Sequence, residues 1–309
     1  MSPFERSLRD YLMMRRALGF KLERPAQLLA DFVGYLDRAG ARHITTELAL
    51  HWATRPVEAD PSWWGMRLSV VRPFARYLRT LDPRTEVPPP DLLPFRSPRA
   101  TPYLYSRADV AALMAAARTM PSPFKAATYE TLIGLLAVTG MRVGEAIGLD
   151  RGDLDRSDGV VTVRFGKFGK SREIPLHPGT VEALETYARV RDTRCPRSKT
   201  PSLFVSTSGT RLIYNNVHFE FHRLVDRAGL KPRSQRCRPR PHDLRHTFAV
   251  DTLIGWYRDG GDVEARLPLL STYLGHRDPG STYWYLSAAP ELLALAARRL
   301  EETSTGAER

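Results

Sequence analysis

Apolar residues recur every three to four positions through the first 80 residues, which is the spacing of one face of an α-helix. Ser2 and Glu5 form a capping box at the start of the first helix. Pro73 is expected to kink or break the last one. No strand-like alternation appears before residue 82. The pattern predicts an all-helical unit with helices over residues 3–18, 25–40, 46–55 and 62–80.

A proline-rich segment then interrupts the pattern. Residues 82–102, DPRTEVPPPDLLPFRSPRATP, contain seven prolines, which neither a helix nor a central strand tolerates. Such a segment is typical of an extended, semi-stiff linker. We predict a helical domain over 1–82, a linker over 83–102, a second domain over 103–289 and a C-terminal helix or tail over 290–309.

The second domain combines helical periodicity with strand-like runs. GVVTVRF and REIPL, joined by the glycine-bearing GKFGK, have the pattern of a β-hairpin, and LFVS at 203–206 suggests one more strand. The expected fold is mainly α with a small antiparallel β-sheet, as an all-helical N-terminal domain followed by an α+β domain. Helices are predicted near 106–118, 124–138, 141–149, 178–192, 214–228, 242–257, 263–274, 279–287 and 290–302.

Charge narrows the functional classes. The 309 residues include 46 Lys and Arg against 34 Asp and Glu, which gives a net charge of +12. A strongly basic chain favours a polyanionic partner, usually nucleic acid. The two cysteines form no CxxC motif, so neither a disulfide framework nor a cysteine zinc site is indicated. No signal peptide or apolar run of about 20 residues appears, which predicts a cytoplasmic protein without membrane spans.

Several basic residues stand at positions suited to an anion. Arg142 follows the apolar helix, and its planar guanidinium suits a phosphate, with a solvated or ion-paired arginine as the alternative. Glu145, three residues on, either orients Arg142 or lies on the helix surface. Lys167 and Lys170 lie in the turn of the hairpin, whose glycines allow close approach to a ligand. Exposed turn lysines otherwise serve only solubility.

Histidines supply the remaining candidate chemistry. In HDLRHTFAV, His242 and Arg245 share one face of a helix. His242 and His246 have the i, i+4 spacing of a zinc-binding helix, but an aspartate replaces the glutamate of that motif and an arginine would lie beside the metal. We therefore predict no metal. His276 follows a helix end that contains glycine, and Tyr285 comes nine residues later.

Four segments in this order resemble the tyrosine recombinase, or phage-integrase, family: TGMRVGEAIGL, VVTVRFGKFGKSREIPL, HDLRHTFA and YLGHRDPGSTYWY. The resemblance covers essentially the whole chain and implies a SAM-like, core-DNA-binding helical domain followed by a catalytic domain. The family places its nucleophile nine residues after the second histidine, which selects Tyr285 over Tyr283. Residues two apart on a helix point about 200° apart, so both cannot face one phosphate. The catalytic residues that the resemblance implies are Arg142, Lys167, His242, Arg245, His276 and Tyr285.

The implied reaction is attack of the Tyr285 oxygen on a DNA phosphodiester, which leaves a 3′-phosphotyrosyl link and a free 5′-hydroxyl. Arg142 and Arg245 would hold the non-bridging oxygens as charge rearranges. Because the bond energy stays in the phosphotyrosine and two fixed cations are present, no metal, ATP or other cofactor is expected.

Proton transfers would fall to the remaining groups. Lys167 would protonate the leaving 5′ oxygen, with Lys170 as its competitor. His242 would accept a proton near the tyrosine, and His276 would donate a hydrogen bond to the phosphate.

Basic residues outside this set are predicted to bind DNA. The run RAGLKPRSQRCRPRPH leads into His242 and is interpreted as a phosphate clamp rather than a solvated loop. Phosphate contacts position a protein without reading sequence. The predicted DNA contacts are Lys170, Arg172, Arg227, Lys231, Arg233, Arg236, Arg238, Arg240, Arg15, Arg16, Lys21 and Arg67.

The sequence thus predicts a site-specific recombinase of the integrase or transposase type that acts on double-stranded DNA. It would act as a homodimer on each site and a tetramer in synapsis, with other recombinases or accessory proteins as further partners. The tail helix would pack in cis or dock on a neighbouring protomer. No arm-binding domain precedes residue 4, which favours a simple recombinase or transposase over a long-armed phage integrase.

Two alternatives share parts of this pattern. A type IB topoisomerase would relax supercoils without synapsis, but the helical first domain and the tail helix disfavour it. A regulatory DNA-binding protein with an inactive site is disfavoured by the full set of six groups.

Overall fold

The computed structural model divides into two compact units, Met1–Arg99 and Ala100–Arg309. Each unit has its own hydrophobic core. No helix in the described part of the chain is long and apolar enough to cross a membrane. The described residues are 2–94, 100–164, 171–276, 278, 280–288 and 291–297.

The first unit is all-helical, as predicted. Ser2 and Glu5 form the expected capping box. Of the predicted kink or break at Pro73, the break does not occur, because the last helix continues through Pro73. Its inner face is buried in the core through residues such as Val71 and Phe74, and this packing holds the helix despite the missing N–H. The helices are α1 (Pro3–Ala17), α2 (Glu23–Arg38), α3 (Thr46–Thr54) and α4 (Pro61–Leu81).

Part of the predicted linker packs on this unit. Arg72 of α4 donates hydrogen bonds to the carbonyls of Pro88, Pro89 and Pro90 at 3.0, 2.8 and 2.9 Å. The Glu86 amide reaches Ile44 O at 2.8 Å. A polyproline stretch offers carbonyls but no amide donors, and an arginine fork can satisfy several of them at once.

The second unit is mainly helical. A short 3₁₀ turn, Arg151–Asp153, precedes its sheet. Helical geometry is also present over residues 291–297, within the predicted tail helix. The helices are α5 (Arg107–Arg118), α6 (Pro123–Thr139), α7 (Val143–Gly148), α8 (Pro178–Arg194), α9 (Tyr214–Arg227), α10 (Asp243–Arg258), α11 (Val263–Leu274) and α12 (Gly280–Ala288).

The predicted hairpin forms a small antiparallel sheet. Strands β1 (Leu154–Asp155), β2 (Val160–Val163) and β3 (Arg172–Pro175) lie in that order, and β2 pairs with β3 so that Val161 faces Ile174. The prediction of a further strand at 203–206 is wrong, because LFVS forms only an isolated bridge.

Two glycines end helices beside the N-terminus of α10. Gly140 ends α6 and Gly275 ends α11, both with a left-handed backbone, at φ +60° and +66°. A Cβ on Gly140 would lie 2.6 Å from the ring of Phe248, and one on Gly275 would lie 2.9 Å from the Arg172 guanidinium. Glycine is therefore required at both ends, and the carbonyls around them face the start of α10.

Candidate active site

Arg245 is the most deeply buried cation of the site. It lies in the first turn of α10 and is 1% exposed. Its Nη1 donates to Gly140 O at 2.9 Å and its Nη2 donates to Leu274 O at 2.6 Å. The last carbonyls of a helix lack partners and carry partial negative charge, so two helix ends hold this guanidinium. Burial, together with the charge of Arg142, lowers the pKa of Arg245 to about 10, which leaves it charged at neutral pH.

Glu145 binds two further arginines. Arg142 Nη1 lies 2.7 Å from Glu145 Oε1, and Arg172 Nη2 lies 2.8 Å from Oε2. Burial opposes ionisation of this carboxyl, but hydrogen bonds from Arg172 and Arg142 outweigh it and lower the pKa of Glu145 to about 2. One carboxylate thus stands among three arginines, and the excess positive charge favours an anion.

Helix-end carbonyls hold these two arginines as well. Arg142 Nη2 donates to Gly275 O at 3.1 Å, and Arg172 Nε donates to Tyr273 O at 2.7 Å. The prediction that Arg172 contacts DNA disagrees with this placement, because its side chain is 13% exposed and its donors are engaged within the protein. Arg172 instead fixes Glu145, which in turn fixes Arg142.

Two neutral histidines flank the arginines. His242 occupies the N-cap position of α10 without a capping hydrogen bond from its side chain, and His276 follows α11. The Nδ1 of His276 lies 2.7 Å from Thr282 Oγ1. The surrounding protein, and then the charges of Arg245 and Arg142, lower the pKa of each histidine to about 4. Both rings are therefore neutral at pH 7 and able to accept a proton.

Tyr285 lies inside this group, and Tyr283 does not. Tyr285 is 2% exposed on α12, while Tyr283 is 51% exposed. The Tyr285 ring stacks on His276 at a centroid distance of 6.0 Å. Burial raises the pKa of Tyr285, against the opposing charge and hydrogen bond of Arg245. The hydroxyl is thus protonated at neutral pH and lies beside the most buried arginine.

Sequence reasoning missed the place of His246, which it considered only as a zinc ligand and rejected. The His246 ring lies 4.8 Å from that of His242 and 5.4 Å from that of Tyr285, centroid to centroid. Burial and the nearby charges lower its pKa to about 3. Its Nδ1 has no hydrogen-bond partner in the described part of the chain. The i+4 spacing from His242 was the available signal.

The other predicted residues differ in their exposure and in their partners. Lys167 and Lys170 fall outside the described residues. Arg240 is paired with the buried Asp243 at 2.8 Å. Arg15 is half-buried and lies over the Phe20 ring. The exposed members of the predicted DNA-binding set are Arg16, Lys21, Arg227, Lys231, Arg233, Arg236 and Arg238.

Arg67 has a structural place in the first unit. It is 8% exposed, lies 3.9 Å from the centroid of the Trp52 ring and forms an ion pair with Asp31 at 3.5 Å. This burial disagrees with the prediction that Arg67 contacts DNA, because its guanidinium is engaged within the helical core. Its spacing from Trp63 and Trp64 on one helix gave no sign of that burial.

A comparison with family models decides the family. Residues 105–291 match the model described as the phage integrase family. The chain belongs to the phage integrase family. This family member is 46% identical to the integrase/recombinase y4rB of Sinorhizobium fredii (strain NBRC 101917 / NGR234), over 97% of this chain and 98% of the relative. It is 31% identical to the tyrosine recombinase XerD of Caulobacter vibrioides, over 76% and 73%.

Solved structures of integrases share the fold. The Tn1549 transposon integrase in complex with transposon right end DNA matches with a TM-score of 0.63 at 18% identity, over 96% of this chain and 99% of that one. A lambda integrase dimer bound to a core site matches at 0.61 and 19% identity, over 91% and 76%. The predicted fold class is confirmed.

Family membership also fixes the class of activity. Tyrosine recombinases of the phage integrase family cleave and rejoin DNA. This integrase is accordingly an enzyme of site-specific DNA recombination, as the sequence predicted.

Proposed function

We propose that Tyr285 is the nucleophile of this recombinase and that Arg142 and Arg245 bind the scissile phosphate of double-stranded DNA. The observation that carries this proposal is the burial of Tyr285 against Arg245, while Tyr283 lies at the surface. A tyrosine that reacts with phosphate needs cations at the phosphate oxygens, and this is the tyrosine that has them.

The cleavage step needs no cofactor, because every bond and proton that moves is accounted for by Tyr285, the DNA, His242 and Lys167. The Tyr285 oxygen forms a bond to phosphorus as the bond from phosphorus to the 5′ oxygen breaks. The phenol proton passes to His242, whose neutral imidazole is the form that accepts it. Lys167, assigned through the resemblance, protonates the leaving 5′ oxygen. The phosphotyrosyl link keeps the bond energy, so the reverse attack by a 5′-hydroxyl rejoins the strand.

The arginines act by being held in place before the substrate arrives. Arg245 and Arg142 are fixed by helix-end carbonyls and by Glu145, so they need no rearrangement as charge develops on the phosphate. Such prearranged donors are worth roughly 10²–10³-fold in rate each. His276, fixed by Thr282, adds a hydrogen bond to a phosphate oxygen.

DNA is held by exposed basic residues before α10. Arg236 and Arg238 are exposed in the segment that leads to His242, and contacts of this kind act on phosphates and weaken with salt. We propose a dimer on each site and a tetramer in synapsis. Solved structures with this fold include a lambda integrase dimer bound to a core site and a tetramer bound to a Holliday junction.

A suicide substrate tests the proposal. Nicked duplexes made from the DNA that flanks the gene would be incubated with the protein in EDTA and run on a denaturing gel. We expect a covalent protein–DNA adduct from the wild type and from Tyr283→Phe, and none from Tyr285→Phe. A binding assay on each variant confirms that DNA is engaged. An adduct from Tyr285→Phe at the wild-type level would contradict the proposal.

A further inference from the structure

Helix α9 carries a second pair of histidines, outside the candidate active site. His218 and His222 lie one turn apart, with their Nε2 atoms 3.3 Å from each other and their ring centroids 4.5 Å apart. The adjoining face of the helix is buried in the core through Val217, Phe221 and Leu224, which fixes the backbone that carries the pair.

The separation of the two nitrogens fits one metal ion. Two imidazole nitrogens bound to a tetrahedral Zn²⁺ at about 2.0–2.1 Å lie about 3.3–3.4 Å apart. The 3.3 Å between the two Nε2 atoms therefore matches the bite of a chelated cation. Nε2 is the ring nitrogen farther from the backbone, so a bound ion would lie on the solvent side of α9.

The charges around the pair suit a cation. Asp226, one turn further along α9, places a negative charge beside His222. The nearby cations Lys125 and Arg223 are both paired with Glu220, at 2.7 and 3.5 Å.

We propose that His218 and His222 form a surface site for a transition-metal cation of the Zn²⁺ or Ni²⁺ type, bound through both Nε2 atoms. Among the residues that the structure describes, no group of three or more His, Cys, Asp or Glu side chains could hold a metal ion. Water therefore completes the coordination, and the ion exchanges freely. The site takes no part in DNA cleavage, and bound metal stabilises α9 by bridging two of its turns.

Calorimetric titration of tag-free, full-length protein with ZnCl₂ at about pH 7.5, in a buffer that does not bind zinc, tests the site. We expect one saturable Zn²⁺ per chain, released by EDTA, with a rise in melting temperature. In His218→Asn and in His222→Asn the dissociation constant should rise by at least the roughly tenfold that even outer-shell changes cause. His51→Asn is the matched control, because His51 is an exposed histidine stacked on Tyr35 in the first unit.

Two results would overturn the proposal that zinc binds at His218 and His222. Equal Zn²⁺ binding by the wild type and by the His218→Asn/His222→Asn double variant would overturn the proposal, since the metal would then lie elsewhere. Absence of saturable binding by the wild type would overturn it as well. Metal-free melting temperatures of the variants that match the wild type show that both are folded. Adduct formation in EDTA is measured separately, so failure here leaves the Tyr285 assignment untouched.

Discussion

Helices α9 and α10 each carry two histidines four residues apart, and the two pairs have opposite surroundings. His218 and His222 on α9 have Asp226 as a neighbour, and the cations near them are paired with Glu220. His242 and His246 on α10 lie instead among the charges of arginines 142, 240 and 245.

The difference shows that spacing alone does not choose the ligand. Both pairs have the i, i+4 geometry of a metal chelate. Around the α10 pair, arginines disfavour a cation, and burial together with the nearby positive charges lowers the histidine pKa values to about 4 and about 3. The same charges favour a phosphate. We therefore expect the neighbours of a histidine pair, rather than its spacing, to determine whether it serves an anion or a cation.

Removal of Arg245 should have the largest effect. Arg245→Ala takes away the cation beside Tyr285, and we expect the rate of DNA cleavage to fall by about 10²–10³-fold. The rate is measured by single-turnover adduct formation on a suicide duplex. The substitution also leaves the carbonyls of Gly140 and Leu274 without their donor. Melting curves therefore measure how much of the variant is folded, and the rate is corrected for that fraction.

Arg223→Ala is the matched control on the other helix. Arg223 is an exposed arginine beside the α9 pair, and its loss should leave cleavage unchanged. Cleavage by Arg245→Ala at the wild-type rate would contradict the proposal that the arginines around the α10 pair bind the scissile phosphate.

Loss of the Glu145 charge should come next. Glu145→Gln keeps the shape of the side chain but leaves Arg142 and Arg172 without their buried carboxylate. The free energy of unfolding should fall by about 3–5 kcal/mol, as for a broken buried ion pair, and urea unfolding measures it. Glu130→Gln, which breaks the more exposed pair with Arg118, should cost no more than about 1 kcal/mol. Equal costs would show that the Glu145 network contributes no special stability.

The sequence predicts the polar residues of the site and their order along the chain better than it predicts the groups that hold them in place. Arg142, His242 and Tyr285 are recognisable from their motifs, and the structure brings them to one cluster. The acceptors of the arginines are backbone carbonyls at Gly140 and Leu274, which leave no signature in side-chain type.

Long-range pairing and packing account for the surroundings that the sequence did not reveal. From the sequence Arg172 is predicted to contact DNA, because its partner in the structure, Glu145, lies 27 residues away along the chain. Arg67 reads the same way, although it packs on Trp52. The helical pattern around Pro73 is stabilised by burial of the opposite face, which overrides the local preference of proline.

Acid should destabilise the protein through the α10 pair and His276. The pKa values of His242, His246 and His276 are lowered to about 4, 3 and 4. In the unfolded chain a histidine titrates near 6.5, so the unfolded state takes up protons first. The contribution of these neutral histidines to the free energy of unfolding is therefore complete above about pH 6.5 and is lost as the pH falls toward 4.

Melting temperatures between pH 7.5 and 5 measure this loss. His246→Phe should make the melting temperature depend less steeply on pH, because it removes one of the histidines whose pKa is lowered. His222→Asn should change this slope less, since the charge of Asp226 opposes the lowering of the His222 pKa. A steeper or unchanged slope in His246→Phe would contradict the assignment of acid sensitivity to the α10 pair.

The most direct test of the account is to identify the residue that carries the DNA. The covalent adduct from a suicide duplex would be digested with nuclease and protease, and the peptide that bears a nucleotide would be sequenced by mass spectrometry. We expect a nucleotide joined through its 3′-phosphate to Tyr285, the tyrosine buried beside Arg245. A nucleotide on the exposed Tyr283, or on any residue outside the arginine cluster, would contradict it.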